Sequence, residues 1–279
     1  MEMTGALNEQ SAVRVLDVDD VRLTYVVDGA MAFRPAAFFP SVPADHWGPD
    51  EVDESGRVVM SAGGLLVERA GRLLLIDAGL GPVVGENPLG SADCGALPET
   101  LAALGHRPED VEVLAFTHLH ADHTGWAFAD GAPVFPKARY LVAAREVVGE
   151  SPFTGRHTPI GDGDEVFPGV RALVTPGHSP GHTSYVITTA TARVVAFGDA
   201  FHAPAQLARP DWGSGPDWDG ALVPGARARL VEELEKPGTL GFATHFGDQV
   251  FGQVVRDAGG TPRWRPVPAR ALLPAPRGL

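Results

Sequence analysis

Apolar residues along this chain fall into short runs, each closed by glycine, proline or aspartate. Runs at 13–18, 21–27, 64–68 and 73–76 read as strands. Further strands are predicted at 111–116, 139–143, 172–175, 184–188, 194–197, 240–243 and 264–267. Two segments read as helices. The first, 98–104, opens on Pro98 and is closed by Gly105; the second, 226–236, sets Leu230 and Leu234 four apart and meets Gly238 as a stop. Residues 33–56, rich in proline and aromatics, predict a long loop or lid over something apolar, and 79–97 and 155–164 read as irregular. Many strands with few helices predict two packed sheets covered by helices outside. No repeat or low-complexity linker divides the chain, so one domain over 1–279 is expected.

Composition narrows the class. The 279 residues are 44% hydrophobic and 20% charged, ample for a buried core and unlike a disordered chain. With 22 Lys+Arg against 35 Asp+Glu, the net charge of -13 argues against a broad footprint on nucleic acid or anionic lipid. Cys94 is the lone cysteine, so no internal disulfide forms and nothing points to an oxidising compartment. Residues 1–10 carry Glu2 and Glu9 and no apolar core of a leader, and no run is long enough to cross a bilayer. The reading is a soluble cytoplasmic protein acting on a small molecule, with a homodimer left open.

The densest chemical signal is Thr117-His118-Leu119-His120-Ala121-Asp122-His123, directly after a predicted strand. Imidazole and carboxylate together suit zinc or a similar first-row ion. Three more strand ends carry a ligand type beside glycine: Thr175-Pro176-Gly177-His178, Phe197-Gly198-Asp199 and Thr244-His245-Phe246-Gly247. Each alone is weak. The set is informative, because loops at one edge of packed sheets can bring distant residues to a single site.

HxHxDH, TPGHSPGHTSY, GDA and a late THFG together resemble the metallo-β-lactamase-fold hydrolase superfamily over about 63–245. The resemblance implies an α/β fold, a four-layer αββα sandwich, with two divalent metal ions at one edge, zinc by preference. It implies His118, His120 and His178 on the first metal, Asp122, His123 and His245 on the second, and Asp199 bridging them. Asp77, in Leu-Ile-Asp-Ala-Gly, resembles the family's strand-end aspartate, which orients a ligand histidine. A looser resemblance, carried by the N-terminal proline and aromatic segment, GDAFHAPAQ and Trp264, is to acyl-homoserine lactonases and methyl-parathion-hydrolase-like enzymes. Lactonases of that group are expected to carry tyrosine three residues after the bridging aspartate. Here His202 stands there, as in the phosphotriesterase-like branch, either as a donor near the metals or as a surface loop residue.

Two cations sharing a water make it acidic enough to supply hydroxide near neutral pH and polarise a carbonyl or phosphoryl oxygen. Asp122, Asp199 and His202 are the candidates to orient that water or relay a proton, and Cys94 is expected to be incidental. Loop segments 30–57 and 200–224 flank the metal loops. Their aromatics, Phe33, Phe38, Phe39, Trp47, Phe201, Trp212 and Trp218, are candidates to line an apolar pocket or to pin the loops. The expected reaction is hydrolysis of an ester-like bond in a small apolar lactone, ester, thioester or phosphotriester. Two other readings stay open: a metal-dependent lyase or cyclase, and a mononuclear iron oxidoreductase of the persulfide-dioxygenase type using His118, His178 and Asp199.

Overall fold

The computed structural model describes residues 2–147 and 149–276. Successive apolar side chains in its strands serve different cores, because neighbouring residues of a strand face opposite ways. In the strand Arg72–Ile76, Leu74 and Ile76 join Leu23, Tyr25 and Leu65 between the sheets. Leu73 and Leu75 face outward, with Val26 and Leu66, onto Leu97 and Leu101 of the helix Leu97–Ala103. The run is apolar at successive positions because both of its faces are covered. The second sheet repeats the logic: Val194 and Ala196 face Tyr185, Ile187, Phe242 and Phe251, while Val195 and Phe197 face Leu230 and Leu234 of the helix Val223–Leu234. Helix, sheet, sheet, helix is the expected four-layer αββα sandwich. Among the described residues, no helix is long and apolar enough to cross a membrane.

Strand direction places the chemistry. Arg72–Ile76, Val113–Ala115 and Arg139–Ala143 are parallel neighbours in the first sheet. In the second, Arg193–Ala196 and Thr239–Phe242 are parallel, and Val170–Val174 shares their direction through two antiparallel steps. The loops holding Asp77, His118, His178, Asp199 and His245 therefore all follow strand C-termini, at one edge of each sheet.

Several segments differ from expectation. The strand predicted at 21–27 runs on as Val21–Phe33, through a register shift at Val27/Gly29, and its partner begins at Val58 (Val58–Arg69). A Cβ at Gly29 would lie 2.1 Å from the Asp93 carbonyl oxygen, so glycine there admits the crossing strand Gly90–Cys94. The flanking segment therefore starts at Arg34 and contains the short helix Pro35–Phe38 and a turn at Ala44–His46. Residues 79–97 hold the hairpin Val84–Glu86 and Gly90–Cys94. The strands Phe251–Arg256 and Ala269–Leu273, not read from the sequence, pair at the sheet margins.

Candidate metal centre

Two four-residue clusters meet at Asp199. His118, His120, His178 and Asp199 form one and Asp122, His123, Asp199 and His245 the other, with the ligating atoms of each within 4.8 Å of one another. The Asp199 carboxylate divides between them. Oδ1 lies 3.0 Å from both His123 Nε2 and His245 Nε2, and Oδ2 lies 3.3 Å from His178 Nε2 and 3.7 Å from His118 Nε2. Asp122 Oδ2 stands 3.6 Å from His123 Nε2 and His245 Nε2. The structure thus brings all seven predicted positions to one place.

Each of three imidazoles is turned by a partner on its far nitrogen. His123 Nδ1 donates to Asp77 Oδ2 at 2.9 Å, His178 Nδ1 to Asp217 Oδ1 at 2.8 Å and His245 Nδ1 to the Ser61 carbonyl at 2.9 Å. A proton committed outward leaves the Nε2 lone pair facing inward, the form that binds a cation. Asp77 also accepts from the Thr117 N–H and hydroxyl, both at 2.8 Å, so it fixes the loop as well as the ring. At Gly198, φ +50° and a Cβ position only 2.9 Å from Thr117 Cβ leave room for glycine alone before Asp199.

Electrostatics favour positive charge here. Burial works to raise the Asp199 carboxyl, but His123, His245, His202 and His118 outweigh it and hold it well below the ordinary carboxylate range. Burial pulls His123 and His245 down, and Asp199 and Asp122 outweigh it and raise both. His118 goes the other way, pushed well down by burial and by the nearby His123. His118 Nε2, His123 Nε2, His245 Nε2 and Asp199 Oδ1 are buried with no hydrogen-bond partner among the described residues. Buried polar atoms left without partners cost about 1–3 kcal/mol each, and a cation can take the place of the proton on a raised imidazole, so four converging on two points fit the coordination of cations.

Four participants escaped the sequence reading. His182 accepts from the Asp199 N–H at 3.0 Å and meets Thr175 Oγ1 at 2.9 Å, and burial lowers it to about 3; it holds the Asp199 main chain as a neutral ring. Its place in TPGHSPGH was the available signal. Glu146 accepts from Leu119 N–H, Ser179 Oγ and Gly181 N–H, tying the first metal loop to the His178 loop. Asp217 and Asp28 carry no local pattern. His202 is not a surface residue: it is 1% exposed, and its Nε2 lies 3.1 Å from Asp199 Oδ2. Burial lowers its pKa to about 4, so the ring is neutral and Nε2–H donates to the carboxylate.

The clusters open onto a cleft of about 640 Å³, within the usual size of small-molecule sites. Met31, Phe33, Phe38, Leu80 and Leu89 form apolar walls, and His120, Asp122 and Asp199 reach its floor. Of the seven aromatics proposed for the pocket, Phe33 and Phe38 line it and five do not. Phe39 is buried edge-on against Phe38 and His202, and Trp47 packs on Phe39. Phe201 is buried in the helix-side core, Trp212 lies against His46 beneath Arg209, and Trp218 is 58% exposed and not among the residues lining the cleft. Apart from Trp218, these rings pack against one another, a neighbouring side chain or the core, which removes more apolar surface from water than an open cleft wall would.

Cys94 lies in the apolar cluster of Met31, Phe39 and Met60. Cys94→Ala is expected to leave kcat nearly unchanged and to cost about 1 kcal/mol of stability through the vacated volume. Steady-state rates and a melting curve check this; a large loss of kcat would give the thiol a chemical role.

Residues 64–245 match the metallo-beta-lactamase superfamily model. The chain belongs to this superfamily. Its similarity to an N-acyl homoserine lactonase from Bacillus cereus is 35% identity over 143 residues, 49% of this chain and 57% of that one. With the human metallo-beta-lactamase domain-containing protein 1 it shares 33% identity over 154 residues, 53% and 51% of the two chains. The matched portion thus spans little more than half the length of these curated relatives. Among solved superfamily folds, AidC, a dizinc quorum-quenching lactonase, overlays with TM-score 0.80 at 19% identity over 93% of this chain and 99% of its own. The hydrolase AbOPH overlays at 0.76 with 24% identity over the same shares.

Proposed function

We propose that the protein is a two-metal hydrolase that opens a lactone or related ester bearing an apolar group, with N-acyl homoserine lactones as the leading substrate class. The observation that carries this reading is the pair of buried ligand clusters sharing Asp199 at the floor of an apolar cleft. In this reading His118, His120 and His178 hold one ion, Asp122, His123 and His245 the other, and Asp199 contributes to both. When bound, such cations supply Lewis acidity toward a carbonyl oxygen and lower the pKa of water.

The chain's own residues do the rest. Met31, Phe33 and Phe38 take the apolar group and exclude water from the floor. His202 Nε2–H, donating to Asp199 Oδ2, fixes the rotation of the shared carboxylate. Asp122, 21% exposed at its side chain and lining the cleft, is positioned to pass a proton to the departing alkoxide. The complete second cluster supports two metals over the one-iron oxidoreductase reading. The names of the curated relatives support the lactone over other esters.

Metal quantification followed by a substrate screen tests this. Two divalent ions per chain, and fastest turnover on lactones with aliphatic acyl groups with a product heavier by one water, are expected. One iron per chain with oxygen uptake, turnover restricted to phosphotriesters, or a product formed by elimination or cyclisation would overturn it.

A further inference from the structure

The ligand histidines are not anchored alike. His123 leans on Asp77 at a strand end and His245 on Ser61, within the strand Val58–Arg69, so both are held by the sheets. His178 leans on Asp217, which lies in irregular chain. The Asp217 carboxylate is buried beside it: Oδ1 accepts from His178 Nδ1 at 2.8 Å and Ser214 Oγ at 2.9 Å, and Oδ2 from the Ser214 N–H at 2.7 Å. The same segment grips the histidine's main chain, through Trp218 N–H to the His178 carbonyl at 3.0 Å and Asp219 N–H to the Gly177 carbonyl at 2.9 Å. Its other end is tied to the cleft. Gly215 N–H donates to the Phe38 carbonyl at 2.7 Å, and Ser41 Oγ to the Gly213 carbonyl at 3.1 Å. Gly215 and Pro216 line the cleft together with Ala37 and Phe38.

We propose that residues 213–219 form a strap through which Asp217 positions His178, so that metal retention at the His118–His120–His178 cluster is coupled to occupancy of the apolar cleft. The inference rests on the two-metal reading above. An apolar group seated against Phe38, Gly215 and Pro216 holds the strap, and the strap holds His178 toward the ion. Coupling of this kind is reciprocal: what tightens one site tightens the other by the same factor. The histidines of the second cluster lean instead on Asp77 and Ser61, which belong to the sheet framework and not to the strap.

Chelator-competition titration of the metal-free protein with zinc tests the assignment, using wild type, Asp217→Ala and Asp217→Asn. Wild type is expected to bind two zinc ions in resolvable steps. Asp217→Ala is expected to weaken one step by roughly 10–100-fold and leave the other unchanged, the scale seen when a ligand histidine loses its outer partner. Asp217→Asn keeps the side-chain shape, so it reports even where the alanine variant fails to fold; about tenfold weakening of the same step is expected. N-octylacetamide, an apolar amide with no chelating pair, is expected to tighten that step in wild type by about fivefold, the low end of typical coupling. It should do nothing in Asp217→Ala. Equal weakening of both steps, or of neither, overturns the positioning role, and an amide effect that survives in Asp217→Ala overturns the coupling. A wild type that binds a single zinc overturns the two-metal reading itself, which separates that failure from this one.

Discussion

Asp199→Ala is expected to lose most of its metal and to lower kcat/KM by about a thousandfold or more. Asp199 is the one side chain common to both clusters, with one oxygen 3.0 Å from His123 and His245 and the other facing His178 and His118. Its charge offsets the crowding of imidazoles around it, and without it neither cluster keeps an anionic bridging ligand. A loss of several kcal/mol of Lewis-acid stabilisation corresponds to that factor at about 1.36 kcal/mol per tenfold. The fold should survive, because the hydrogen bond to His182 uses the Asp199 main-chain N–H, which alanine retains. Adding His118→Ala should remove the residual metal and turnover. Metal content, circular dichroism and kcat/KM on the best substrate of the screen check these outcomes together. Wild-type turnover in a metal-free double variant would end the metal mechanism.

The parts of this arrangement legible in the sequence are those with a local signature. His118 to His123 crowd into six positions, and His178, Asp199 and His245 each follow a strand-like run and adjoin glycine. Gly198 shows why that context exists: only glycine fits beside Thr117 at the turn delivering Asp199. The two sheets were likewise legible from β-branched runs, because burial on both faces leaves few polar interruptions. What was not legible is carried by single polar residues whose partners are far away in the chain. Asp217 is 39 positions from His178 and Glu146 33 from Ser179, and nothing near either marks it. Aromatic composition misled for a related reason. It says that a loop buries rings, not whether they face a cleft, the core or each other, and Phe39 and Phe201 turned inward.

Asp28→Ala is expected to be the most destabilising single change in the framework around the site. The residue lies in the middle of the strand Val21–Phe33, fully buried, and its carboxylate accepts four donors. Leu97 N–H and Trp126 Nε1–H reach Oδ1 at 2.9 and 2.8 Å, and Leu80 N–H and Gly81 N–H reach Oδ2, both at 2.9 Å. Those donors belong to three segments far apart in the sequence: the turn after Asp77, the start of the helix Leu97–Ala103 and the end of the histidine loop. Gly79 crosses so closely that a Cβ there would lie 2.6 Å from Asp28 Cβ. Truncation strands the four donors, and with each costing about 1–3 kcal/mol and some regaining water, a loss of roughly 3–5 kcal/mol follows. At ~2–4 °C per kcal/mol for a chain of this size, Tm should fall by roughly 6–20 °C. Asp28→Asn supplies one acceptor oxygen and turns an NH2 toward two N–H groups, so it should forfeit about half the bonds and sit between alanine and wild type. Thermal melts of the metal-free proteins read this ordering without interference from bound ions. An Asp28→Asn protein as unstable as Asp28→Ala would place the requirement in the carboxylate's charge instead of its four hydrogen bonds. In that case the three segments are gathered by electrostatic attraction to a buried anion.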